Sequence, residues 1–218
     1  MGNSKVFLSA LQWILFFLCF PLWAQTLQLE EFDHSQPKEI SMSMRQALVD
    51  NGVRILKENK VLCEFWFPKV LAVKSPSSAT LGVSFQHIQG SAFLGVAHFP
   101  SGWSDYKGRT LPKGVYVLRY AIQPADGNHM GVSFYRDFLL LTPAVLDTDP
   151  TINYSYKKLV ELSTKASGTS HPAVLSIFPV YKEVNKPRII KNELDQWTIA
   201  VPLQSATLGL VIVGIGEI

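Results

Sequence analysis

A dispersed set of five side chains could move protons or hold a metal: His98, Asp126, His129, Asp137 and His171. Three imidazoles with nearby carboxylates suffice for a zinc-type site or an acid/base pair, provided a fold gathers them. Only Asp126 and His129 stand close together, in the stretch PADGNHMG. The spacing of the others gives the gathering no support, so a metal-dependent hydrolase built on this dispersed set is the second reading. The first is a domain that binds or interacts without catalysing. The plain structural role of that stretch is a shaped loop. Gly127 and Gly131 can take positive φ, Asp126 can close an Asx turn, and Asn128 and His129 can bond nearby backbone.

A second group lies in the loop PSGWSDYKGRTLPK from Pro100 to Lys113. Its Trp103, Asp105 and Tyr106 could form a stacking platform for a sugar or a peptide, or could pin the loop onto the core. Together with Asp126, Asn128 and His129 they are the candidate ligand contacts. No Gly-rich phosphate loop, His-Glu-x-x-His, Cys-x-x-Cys or Gly-x-Ser-x-Gly occurs. No cofactor is expected, and no metal ligand set can be assigned.

The element that must position these loops is Gly114 to Thr142. Val115 to Ile122 is apolar everywhere but Arg119, which predicts a strand covered on both faces. Phe134 to Leu141 is its expected mate across the polar loop. A pairing centred near Asn128 would set Arg119 opposite Asp137 as a structural ion pair, because a covered arginine needs an acid for its fork of donors.

Along the rest of the chain, Glu39 to Val49 alternates as a strand would, with Ile40, Met42 and Met44 inward. GVRIL and VLCEFWF read as a hairpin about KENK. Ala79 to Ile88 and Ser91 to Phe99 read as two strands around Gln89-Gly90. Asp149-Pro150 reads as a helix start, with Ile152, Tyr156, Leu159, Val160 and Ser163 on one face and Gly168 as its end. AVLSIFPVY, WTIAVPL and LGLVIVGI are strands, and the charged run from Lys182 to Asp195 is an exposed loop or edge hairpin.

At 218 residues and 47% hydrophobic content, the chain can bury a full core as one domain. The 13 Pro and 14 Gly, spread along the chain, suit a protein of many turns. Net charge is +3 with no basic stripe, which argues against nucleic acid as a partner. Lys5 followed by the apolar run Val6–Ala24 fits a secretory signal over residues 1–24, leaving a single domain over 25–218. An uncleaved signal-anchor, the only expected membrane attachment, is the alternative, since the run nears the roughly 20 residues of a span. Cleavage would leave Cys63 alone, so no disulfide within the chain could hold the mature fold. In VLCEFWF its thiol is expected to pack as a small apolar group.

The run DYKGRTLPKGVYVLRYAIQPADGNHMGVSFYRDFLLLTPAVLD, from Asp105 to Asp147, resembles a family of uncharacterised secreted bacterial proteins. The likeness rests on Gly-x-Tyr-x-Leu, then Pro-x-Asp-Gly-Asn-His, then Arg-Asp-Phe, with SGTSHPAVLS and LGLVIVG later. The resemblance implies a β-sandwich exported from a bacterial cell; it brings no activity and no functional residues. The expected architecture is thus mainly β, an antiparallel sandwich with one short helix after the central hairpin. The expected place is the periplasm or outside, with an envelope protein or a small molecule as partner.

Overall fold

The computed structural model describes residues 27–33, 36–75, 80–104, 108–124, 135–204 and 206–213. In chain order the elements are β1 (Leu27–Phe32), α1 (Met42–Ala47), β2 (Gly52–Lys57), β3 (Lys60–Trp66), β4 (Phe93–Phe99), β5 (Trp103–Ser104) and β6 (Thr110–Leu111). They continue with β7 (Gly114–Ile122), β8 (Asp137–Pro143), α2 (Tyr156–Ser167), β9 (Val174–Pro179), β10 (Arg188–Lys191), β11 (Trp197–Leu203) and β12 (Ala206–Val213).

The fold is mainly β and antiparallel, as composition and alternation predict. Its layering differs from the sandwich expected. Among the described residues ten strands run in one sheet, in the order β1-β2-β3-β4-β7-β8-β9-β12-β11-β10, and β5 and β6 pair apart from it. The sheet is nearly closed and barrel-like: its edge strands β1 and β10 come within 8 Å between Cα atoms. One apolar cluster fills the inner face, with Ile55, Phe65, Phe99, Leu118, Leu139, Leu175, Ile199 and Leu210 among its buried members. Burying these side chains is the main driving force, at about 1.5–3 kcal/mol each. A single curled sheet meets its own inner face, so no second sheet is needed.

The outer face is covered only over the middle strands. Met44 of α1, with Ile40 and Leu48, packs on Trp66, Val96, Val115 and Val117. Leu159 of α2 packs on Ala121 and Leu140. β7 is therefore buried on both faces along its central seven residues, as its apolar run predicts. Glu39–Val49 is not a strand: Ser41 caps α1 by accepting the Met44 N–H at 3.2 Å. Residues 40, 44 and 48 recur at a spacing that fits both a strand and a helix, and the cap decides. Met42 then points to solvent at 68% exposure.

The second helix ends at Gly168 in the left-handed region, where the sequence placed its end, but begins at Ser155 rather than at Asp149. The expected strand Ala79–Ile88 does not form: residues 80–88 are turns and bends, while β4 follows as expected. At the bulge between Phe93 and Gly95, Gly95 has φ +127, and a Cβ there would run into the Trp66 carbonyl of β3. Gly95→Ala is predicted to lower stability by at least about 2 kcal/mol, read from the urea midpoint. A change below half a unit of kcal/mol would show that the strand crossing is not as close as described.

Candidate functional site

Register decides the fate of Arg119. β7 and β8 pair with Arg119 opposite Leu140 and Ile122 opposite Asp137. Asp137 thus stands three positions from where the expected pairing put it. An odd slip moves a side chain to the other face of the sheet. Arg119 lies on the outer face and Asp137 on the inner face, and the Arg119–Asp137 pair does not form.

The arginine has found a different acid. Its Nε and Nη2 donate to the two oxygens of Asp147 at 2.9 and 2.7 Å, and both side chains are 0% exposed. Nη2 also donates to Asp149 O at 2.7 Å, and Nη1 faces the carbonyls of Ser91, Ile152 and Pro150 at 3.1, 3.2 and 3.3 Å. Asp147 accepts further from Thr142 Oγ1 at 2.8 Å and from the Tyr154 hydroxyl at 3.2 Å. Every donor of the guanidinium is used. This explains the late helix start, because carbonyls 149, 150 and 152 are taken by Arg119. Asp149 instead closes a turn on the Thr151 N–H and hydroxyl, which holds its carboxyl below the usual range. Ser91 completes the group at φ +64, with its hydroxyl accepting from Tyr154 N at 3.1 Å.

Asp137 serves a second group. It accepts from Ser84 N at 2.7 Å, Phe85 N at 3.1 Å and the Tyr120 hydroxyl at 2.5 Å. The loop after residue 80 is thereby pinned across the end of the sheet, which explains why it does not extend into a strand. Burial and the adjoining carboxylate push the Tyr120 hydroxyl pKa far up, so it stays a donor. At the same end Arg136 donates to Gln123 O at 3.0 and 2.6 Å and closes the base of the β7–β8 loop.

Of the expected ligand contacts, Trp103 is described and Asp105, Tyr106, Asp126, Asn128 and His129 lie outside the described residues. Trp103 is not an open platform. Its ring stacks on Phe99 at 5.3 Å, its Nε1 donates to Ile212 O at 3.0 Å, and it is 8% exposed. A buried indole N–H needs an acceptor, and β12 supplies one. The two candidate loops also leave opposite ends of β7, roughly 25–30 Å apart for a strand of this length.

Around Trp103 there is nonetheless a cavity of about 270 Å³, between the β5–β6 hairpin and the turn after α2. Trp103, Leu111 and Ala173 give it an apolar floor, and Arg109, Thr110 and His171 give it a polar rim. That turn is shaped by its own hydroxyls: Thr169 Oγ1 donates to His171 O and accepts His171 N, both at 3.1 Å. The His171 ring makes no hydrogen bond among the described residues.

The remaining histidine of the dispersed set, His98, is engaged elsewhere. Its Nδ1 meets Glu64 Oε2 at 2.8 Å on the outer face, and Arg54 meets Glu64 Oε1 at 3.0 Å. This cross-strand trio on β2, β3 and β4 went unnoticed in the sequence, since its members are far apart in the chain; only Glu64 amid apolar neighbours signalled a polar outer face. Among the described residues no three His, Cys, Asp or Glu side chains gather as metal ligands. Cys63 is fully buried, and burial pushes its thiol well above the usual range, which makes it inert.

No protein-family model matches this chain, and neither does any curated protein or solved structure with which it was compared.

Asp137→Ala is predicted to leave the Ser84 and Phe85 N–H groups unsatisfied, at a cost of about 2–4 kcal/mol. Amide exchange of residues 82–88 should quicken selectively. Unchanged exchange there would mean that the carboxylate does not hold the loop.

Proposed function

We propose that this chain is an exported, non-catalytic binding domain that takes a small ligand, or a side chain of an envelope partner, in the cavity beside Trp103. The observation that carries the reading is the lining of that cavity. Trp103, Leu111 and Ala173 give an aromatic and aliphatic floor, and Arg109, Thr110 and His171 stand at its rim. Apolar floors with a few convergent polar groups are how proteins orient small ligands. The cavity falls just below the usual range, which suits a ligand of the size of one sugar ring or one side chain. Asp105 and Tyr106 follow Trp103 directly in the chain and belong to the same proposed contact set. Asp126, Asn128 and His129, in the loop that follows β7, lie outside the described residues.

Export rests on Lys5 and the apolar run to Ala24, and on the resemblance to secreted bacterial proteins. No helix among the described residues is long and apolar enough to cross a membrane. The rival hydrolase reading needs His129 beside His98 or His171, and His98 already spends Nδ1 on Glu64.

A ligand-observed NMR screen of small polar and aromatic compounds against the mature chain tests the proposal. His171→Ala and Thr110→Ala, both at exposed positions, should each weaken the hits about tenfold while leaving the fold intact. Hits that bind both variants as they bind the native chain would refute it. Stoichiometric zinc in the purified protein would favour the hydrolase.

A further inference from the structure

The two free edges of the sheet meet beside an apolar recess. β1 and β10 end the strand order and share no ladder with each other among the described residues. Each therefore turns a row of backbone N–H and C=O groups toward the gap. Near Glu31 of β1 and Pro187 before β10, a recess of about 310 Å³ opens, walled by Val53, Phe67, Leu71 and Val201 of the inner cluster.

Charge is arranged in a particular way around this gap. Ile189 packs on the inner cluster, so the preceding residue, Arg188, faces outward. Arg188 has no hydrogen bond or ion pair among the described residues, and its Nε is shut from solvent without an acceptor. The partly exposed guanidinium thus has no anion beside it among the described residues, and a carboxylate brought to its accessible face would give it one. Leu27 and Leu29 likewise face inward on β1, which puts Glu31 on the same inward register at the recess.

We propose that this seam receives an extended peptide strand from a partner protein, with a bulky apolar side chain in the recess and an acidic residue next to it in sequence. Successive side chains of a strand point to opposite faces. The inward one meets the apolar walls, with Glu31 and Lys69, the latter facing Asp50 at 3.7 Å, of opposite sign at the rim, so an apolar group gains there and an acid does not. The outward neighbour meets Arg188, which lacks one. Main-chain bonds to one edge, where the two strands splay apart at the recess, supply affinity, and the recess supplies specificity, as in other cases of strand addition. Glu30 and Glu31 on one edge, with Arg188 and Lys191 on the other, discourage indiscriminate pairing. The site is separate from the Trp103 cavity and does not depend on it.

A fluorescein-labelled peptide, Ser-Glu-Phe-Glu-Phe-Glu-Ser, titrated into the mature chain tests the inference. Binding by anisotropy is expected, with slowed amide exchange in Arg188–Lys191. A control of the same composition with its Phe and Glu residues in blocks should bind at least tenfold more weakly, and Arg188→Gln should weaken the alternating peptide about tenfold. Leu203→Trp, which fills the recess from its rim, should abolish binding. N-methylation of alternate peptide amides should do the same on the unaltered protein, which removes any question of misfolding. Absence of binding at millimolar peptide, equal binding of the block control, or retained binding after N-methylation would overturn the proposal.

Discussion

A buried guanidinium held by a buried carboxylate organises the outer half of this molecule. Arg119 sits in the middle of a strand that has apolar neighbours on both sides, where an isolated charge is not tolerable. Its fork geometry demands planar acceptors, and a single residue, Asp147, meets two of its donors. The remaining donors draw in carbonyls from Ser91 and from the chain between 149 and 152. The segment after β8 is therefore laid flat along β7 before α2 can begin. Ser43, from the first turn of α1, adds a bond to Thr148 O at 3.0 Å, so α1 is tied to the same segment. Burial of the outer face and the course of the connecting chain are thus one problem with one solution.

Asp137 does the corresponding task on the inner face. With Tyr120 it fastens a loop of irregular backbone across the sheet's end, where Phe85 and Ile88 bury. The two acids nearest the central strand pair have opposite duties because they lie on opposite faces. Such closed polar networks favour one arrangement of the chain over its alternatives, as half-satisfied ones would not.

Much of this was legible in the residues. The uninterrupted apolar run of β7 announced a strand covered twice, and its lone arginine announced a buried partner. Gly168 marked the helix end, and Lys182–Asp195 yielded the edge strand β10 that its charges suggested. What failed were choices between periods or registers that the local sequence does not resolve. Ile40, Met44 and Leu48 satisfy both a strand and a helix. A 14-residue connection between β7 and β8 fixes no register, and a slip of three residues moved Asp137 to the other face. Asp149-Pro150 has good helix-starting chemistry that a distant arginine overrides by claiming the carbonyls. Trp103 looked like a loop aromatic and proved to be a core side chain with its N–H on β12. The loops before and after β7 leave from opposite ends of a nine-residue strand.

The central claim is that Arg119 and Asp147 act as one unit, and a double-mutant cycle measures that directly. Arg119→Met, Asp147→Leu and the double variant are compared by urea denaturation, with amide exchange of residues 148–154 followed in each. Each single variant strands one buried charge and should lose about 3–5 kcal/mol, whereas the double variant should lose far less than their sum. Exchange between 148 and 154 should quicken in all three, since the carbonyl contacts depart with the guanidinium or with its anchor. Single variants within about 1 kcal/mol of the native chain, or losses that simply add, would contradict the account.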